Sequence, residues 1–495
     1  MPESGRKAHD SPKSLTRSVI AGALALGLRQ AVVVATHALG SVLLARLLSP
    51  AQFAVYAVAL LLVALLRALS DGGLGVALVR QRAVPDEIEL SSVFWAQMML
   101  SLLVSLCLLL AALLGAAFGA GLIRAVVPVL CGAAIASVCV PTQSTCIVQL
   151  ERNLDFTKIG LVNAVEAVTF NATAVVWAAL GSRDLTFAIA LPAQFVAAAL
   201  VYRRLAPWGL LRAFDTAYLR RLLPFAGRYQ ASVILSVAKD AINPLFVGVL
   251  IGASAAGYVQ WANQTAAYPG IAVLILQRIY VPAFARIADD KVRFMTAITR
   301  AVTGTNILVA PLAIVTLVLI QPLLVPLFGD QWRPALSLFY IFWLANLTTP
   351  TVTVLLAAFN AAGNSGVALA MTALWAGGSW ALAIPLVPAF GTLGFALAAG
   401  TVQLISVGLI LFARNRFHLA ISGGLRAWLC SALALAPAAG CVYIGWRNAG
   451  LTTSAIGLVA YPLVLVLLGG RECRELVTTA LKQLATVTRA VQFPS

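Results

Sequence analysis

The 495 residues are 61% hydrophobic and only 10% charged, with a mean hydropathy of +0.94. A soluble domain is about half apolar and about a quarter charged, so an ordinary water-soluble fold is excluded and much of this surface must face lipid. The formal net charge of +17 would point to nucleic acid in a soluble chain, but here the basic residues track the apolar segments and no nucleic-acid partner is expected.

Residues 1–17 form a polar cytoplasmic tail without a small-residue cleavage site, so the first span reads as an uncleaved anchor. Fourteen apolar runs follow, each near the twenty residues that cross the hydrocarbon core as a helix. An N-lobe, 18–202, holds six, at 18–44, 54–79, 91–119, 122–146, 160–180 and 185–202. A cytoplasmic linker, 203–223, leads to a C-lobe, 224–413, with spans at 224–251, 255–277, 298–320, 336–359, 365–386 and 391–413. The segment 414–469 holds two more, 427–445 and 451–469. The tail, 470–495, carries Leu476, Ala480, Leu484, Val487 and Val491 on one helical face, as expected of a helix lying on the inner leaflet. The expected fold is therefore all-α and integral to the membrane.

With the N-terminus inside, twenty-five of the 34 lysines and arginines fall on the cytoplasmic side, and only Arg46, Arg124, Arg183, Arg333 and Arg447 fall outside. That asymmetry follows the positive-inside rule and puts both termini in the cytoplasm of an inner membrane; some of the excess also suits anionic lipid headgroups. The outer loops are too short for a soluble catalytic domain, so an enzyme is not expected. Of the seven cysteines, Cys131, Cys139 and Cys146 share roughly one helix face; soft packing accounts for them better than a metal or redox stripe, and neither a metal nor a cofactor is expected.

Ionisable side chains at membrane depth are costly and mark interiors or wet cavities. Span seven carries Arg228, Ser232, Ser236, Asp240 and Asn243 at helical spacing, with Lys239 beside them. Span one carries Arg29, Gln30, His37 and Ser41, span five Glu166, and span eight Gln260, Asn263 and Gln264. Arg67 and Asp71 stand at i and i+4, where their side chains can meet, either as a structural ion pair or as an anion contact held by its acid. Arg29, Arg67, Arg228 and Lys239, with Gln30, Asn243, Gln260, Asn263 and Gln264, are candidate contacts for an anionic, hydrogen-bonding substrate, arginine being suited to phosphate. His37, Asp71, Glu166 and Asp240 are candidate proton or sodium coupling sites. A weak internal echo, SPAQFAVY at 49–56 and GASAAGY at 252–258, suits the repeats common in transporters.

LARLLSPAQFAVYA from Leu44 and SDGGLGVALVRQ from Ser70 open a series of motifs in which QLERNLDFTKIG, VGVLIGASAAGYVQWANQ, YVPAFARIADD and LFGDQWRPAL follow in order. The series, over roughly residues 15–415, resembles the polysaccharide-repeat-unit (Wzx-type, O-antigen/exopolysaccharide) flippases of the MOP (MATE-like) exporter superfamily. The resemblance implies two pseudo-symmetric six-helix lobes plus two C-terminal helices. It also implies a cationic central cavity and a cargo of undecaprenyl-pyrophosphate-linked oligosaccharide, moved to the periplasmic leaflet by alternating access for exopolysaccharide, capsule or O-antigen synthesis. Partners on this reading are the polyprenyl-pyrophosphate-linked oligosaccharide, membrane lipids, and polysaccharide polymerase or export machinery. Alternatives are a cation-coupled multidrug antiporter of the same fold, a lipid II flippase, and a membrane polysaccharide polymerase or ligase.

Overall fold

The computed structural model describes residues 32–478, apart from 82–84, 154, 210–211, 418–421, 445–446 and 472. All regular structure among the described residues is helical.

α1 is Val32–Leu47. Ser49 starts α2, Pro50–Asp71, through a capping box: its hydroxyl accepts from the Gln52 amide and its own amide donates to Gln52 Oε1 at 3.0 Å. The expected single span 54–79 is broken, because Gly72 and Gly73 both take left-handed conformations, φ 60° and 74°, which glycine adopts without a Cβ penalty. α3, Leu74–Arg80, follows the break. Asp86 and Glu89 box the start of α4, Glu87–Phe118. After a one-turn α5, Gly121–Ala125, the fourth crossing is two helices, α6 Val127–Ser137 and α7 Val140–Arg152, bent by 49°. That bend dissolves the cysteine stripe: Cys131 is exposed and Cys146 buried. α8, Phe156–Ala179, and α9, Thr186–Leu205, complete the first group.

The second group begins with α10, Thr216–Asp240, which passes into a π-helical segment, Ile242–Val247, and a single turn, α11, Gly248–Leu250. The eighth crossing, α12 Ala253–Ala267 and α13 Ile271–Ala285, is interrupted at Tyr268–Gly270. α14 is Lys291–Leu323, α15 Leu336–Asn346 and α16 Thr349–Ala361. α17, Ser365–Phe417, folds back on itself at Gly391, φ 59°: Trp375 Nε1 donates to Ser406 Oγ at 3.2 Å, and Gly378 faces Val402. α18, Ser422–Tyr443, and α19, Arg447–Leu468, dock on α14, where Trp428 Nε1 donates to Asn306 Oδ1 at 2.8 Å. Nine helices among the described residues are long and apolar enough to cross a membrane, or up to eleven with each bent pair as one span. The expected fourteen is not reached by this measure; α17 contributes once to it despite its two arms, and span one is described only from Val32.

The two groups meet at both ends of the bundle. At the Arg46 end, Trp332 Nε1 donates to the Ala45 carbonyl at 2.9 Å, Gln331 Nε2 reaches Ala45 and Leu48, and Trp332 stacks on Trp261 with Phe53 edge-on. The echoing helix starts also lie together here: α12 meets α2 where a Cβ on Gly257 would stand 1.8 Å from the Pro50 carbonyl. At the Asp71 end, Tyr218, Leu222 and Ala226 of α10 pack on Leu74, Leu78 and Val148, while Tyr218 donates to Gln81 Oε1 at 2.8 Å. The first residues of the expected leaflet-bound tail instead turn Cys473 and Val477 into a core with Ala427, Tyr461 and Leu465. Ala480, Leu484, Val487 and Val491 lie outside the described residues.

Gly257→Leu should force α2 and α12 apart at a backbone-to-backbone contact. Overpacking costs about 1–3 kcal/mol, so a lowered thermal midpoint in detergent is expected, whereas Gly227→Leu, at an open position on α10, should change it little.

Candidate functional site: a polar cavity between the two helix groups

A cavity of about 640 Å³ opens between α2 and the second group. Its α2 wall is Ala57, Leu60, Leu61 and Ala64, a purely apolar strip at helical spacing. The facing walls carry polar side chains among apolar ones. The end of α10 and the π-segment supply Asp240 and Asn243, and α12 supplies Gln260 and Asn263. α15 and α16 add Asn346, Thr349 and Thr353, and α17 adds Ser379 and Gln403, with Trp375 among them. Pro244 lacks an amide proton and cannot continue an α ladder; the wider π turn absorbs the break, as is common at functional sites, and carries Asn243 into the wall. Asn243 is 8% exposed, and its Nδ2 donates to Gln260 Oε1 at 3.2 Å. Its Oδ1 is buried and has no partner among the described residues.

Four of the residues singled out from sequence, Asp240, Asn243, Gln260 and Asn263, thus share one chamber. Gln264 and His37 instead line a second, mostly apolar cavity of about 450 Å³ between α1, α12 and α14. The His37 ring is held from α8, where Asn171 Nδ2 lies 3.1 Å from His37 Nδ1. Arg29 and Gln30 lie outside the described residues, as do the side chains of Arg228 and Lys239, whose backbone belongs to α10. Among the described lining residues, Asp240 is the only ionisable one.

The Arg67–Asp71 pairing suggested by their spacing does not form. Arg67 Nη2 reaches across to Glu166 Oε2 at 2.6 Å, with its guanidinium over Phe195. Asp71 has a separate set of donors: Ser144 Oγ at 2.5 Å and Gln97 Nε2 at 2.8 Å. Gly75 leaves room for this carboxylate, since a Cβ there would stand 2.6 Å from Asp71 Oδ1. Asp71 therefore ties the broken end of α2 to α4 and α7. Sequence reading passed over Gln97 and Ser144, and also Asn346, Thr349 and Thr353. The last three do recur at helical spacing, a signal as legible as the stripe on span seven. Gln403 carries no such pattern. Among the described residues no cluster of three His, Cys, Asp or Glu is placed to hold a metal.

A multi-pass helical bundle whose two groups of helices touch at both ends and flank a chamber with polar side chains in its walls is the architecture of a membrane transporter. It superposes on the lipid II flippase MurJ in an inward closed conformation with a TM-score of 0.68 at 16% identity, covering 90% of this chain and 98% of that one. An inward-facing multidrug resistance MATE family transporter of the MOP superfamily gives 0.62 at 16% identity, over 78% and 94%. The chain belongs to the family described as Polysaccharide biosynthesis protein, whose sequence profile matches residues 43–337. Among its relatives, the lipopolysaccharide biosynthesis protein WzxC of Escherichia coli (strain K12) is 24% identical over 340 residues, 68% of either chain. The succinoglycan biosynthesis transport protein ExoT of Rhizobium meliloti (strain 1021) is 28% identical over 306 residues, 59% of either chain. The resemblance drawn from the ordered motifs thus agrees with both the family and the fold.

The Arg67–Glu166 pair is asymmetric: the side chains are 40% and 9% exposed. Removing one partner of a buried pair costs about 3–5 kcal/mol. Arg67→Ala, which strands the buried carboxylate, should destabilise toward that figure. Glu166→Ala, which leaves an arginine that is not enclosed by the bundle, should cost less, and the Arg67→Met/Glu166→Leu double variant should recover most of the loss in thermal unfolding. Asp71→Ala, which removes the oxygen that accepts from both Ser144 and Gln97, should cost about 1–3 kcal/mol.

Proposed function

We propose that this chain moves polyprenyl-pyrophosphate-linked oligosaccharide repeat units from the cytoplasmic to the periplasmic leaflet of the inner membrane, as a step in exopolysaccharide, capsule or O-antigen synthesis. The observation that carries this reading is the polar chamber between two helix groups in a member of the polysaccharide biosynthesis family. A headgroup rich in hydroxyls needs hydrogen-bonding walls at membrane depth, while the polyprenyl tail needs none and stays in lipid.

On this reading the headgroup enters from the basic, cytoplasmic side. Rocking of the helix groups opens the α10–α3 contact and the Trp332 contact in turn. A carrier shifts its equilibrium only by differential affinity for the two states, so proton or sodium binding at His37, Asp71, Glu166 or Asp240 supplies the bias. The full set of donors to Asp71 suits a fixed structural role better than a coupling role, and the pairing of Glu166 with Arg67 ties any protonation there to release of an arginine. Arg228 and Lys239, with Arg29, are the proposed pyrophosphate contacts, and polymerase or export machinery are proposed partners.

A second reading, a cation exporter of the same fold, is favoured by one observation, the Asp240 carboxylate on the chamber wall. Proteoliposomes separate the two. Wild-type protein should expose a fluorescent polyprenyl-pyrophosphate oligosaccharide to an impermeant oxidant at least tenfold faster than empty liposomes, and Arg228→Ala should lose most of that rate with the folded yield unchanged. Driven efflux of ethidium with no movement of the lipid-linked sugar would select the exporter instead.

A further inference from the structure

We infer that Glu166 stands in for the anion of the cargo: it neutralises Arg67 while the carrier is empty and yields it to a phosphate of the lipid-linked headgroup. This rests on the flippase reading above. It makes Arg67 a substrate contact and Glu166 the residue that sets how tightly that contact binds.

Arg67 lies on α2 beyond Leu60 and Ala64, both of which line the chamber. Steps of four and three residues keep one helix face, so Arg67 continues that strip, about 4.5 Å past Ala64 at 1.5 Å per residue. The strip is apolar up to that point, and this guanidinium is the first charge on it. Its side chain is 40% exposed, against 9% for Glu166 on α8. The acid is fixed in the bundle, and the arginine is the partner with room to move. Their bond is also incomplete. Arginine and carboxylate commonly meet through two parallel bonds. Here Arg67 gives only Nη2, to Oε2 at 2.6 Å, and Glu166 Oε1 is buried with no partner among the described residues. Phe195 covers a face of the guanidinium, 5.5 Å from ring centroid to Cζ, and leaves its edge open. A guanidinium carries five N–H donors, so a second oxyanion can be engaged before the first is released.

A carrier closes over its chamber twice in each cycle, once loaded and once empty. A cation enclosed without an anion carries a heavy desolvation cost. The phosphate removes that cost in the loaded state, and Glu166 removes it in the empty one. The same competition sets affinity. A ligand that binds only the fraction of protein whose site is free has its apparent affinity reduced by that fraction, and the resident carboxylate keeps the fraction small. Glu166 therefore weakens binding of the headgroup and speeds return of the empty protein, two effects that a purely structural ion pair does not have.

Proteoliposomes test this with one polyprenyl-pyrophosphate oligosaccharide in two formats. Net movement from one leaflet requires the empty protein to return, and exchange with substrate in both leaflets does not. R67Q should raise KM about tenfold, as expected for the loss of a charge-assisted hydrogen bond. E166Q should do the opposite, lowering KM about threefold or more through the fuller charge left on Arg67. It should also slow net movement about fivefold or more relative to exchange, because the cation now closes over unpaired. In the R67Q background, E166Q should change neither quantity. If E166Q does not fold, E166D, which withdraws the carboxylate by one methylene, carries the same two expectations. A KM that rises or stays unchanged, or net movement and exchange slowed alike, overturns the inference while leaving the transport reading intact. A wild-type protein that moves no lipid-linked sugar in either format overturns the transport reading itself.

Discussion

A polar group at membrane depth has no bulk water to turn to, and each must find a partner inside the bundle or pay for its absence. That constraint organises the polar residues of this chain into sets with distinct fates. Asp71 is given donors from two neighbouring helices, Ser144 and Gln97, and fixes the point where α2 breaks. Glu166 is neutralised by Arg67 across a helix boundary. Asn243 and Gln260 satisfy each other only partly and leave an acceptor over, in a chamber large enough for a ligand. The first two sets hold the first helix group together, and the third lines the chamber between the groups.

The contacts at the two ends differ in kind. At the Arg46 end the contact is aromatic and close, with Trp332 fully buried between the groups and α12 lying directly on the start of α2. At the Asp71 end α10 packs mainly aliphatic side chains and Ala226 against the glycine break. A close-packed interface switches between discrete arrangements rather than deforming smoothly. The glycines at 72 and 73 and the π-turn at Asn243 are places where the helices are already broken, and both adjoin contacts between the two groups.

The fold class was legible because the bilayer imposes it: length, hydropathy and charge asymmetry leave an all-helical multi-pass bundle as the reading. The chamber was half legible. Span seven carried its polar stripe openly, and the Asn346–Thr353 stripe was equally visible and overlooked. The partner of Arg67 was not legible. An i and i+4 acid stood ready on the same helix, and the acid that actually pairs lies 99 residues along the chain on α8, a distance that local periodicity cannot see. The break at Gly72–Gly73 was written in the sequence, yet an apolar run on either side masks it in any count of span length.

The central claim is that a lipid-linked glycan is held in the chamber between the two helix groups by the amides of Asn243, Gln260, Asn346 and Gln403. The most direct measurement is a cryo-EM structure in lipid nanodiscs with a polyprenyl-pyrophosphate oligosaccharide bound. The account predicts sugar density against these four residues with a hydroxyl within hydrogen-bond distance of Asn243 Oδ1. A chamber that stays free of sugar while the headgroup sits elsewhere on the protein would contradict it.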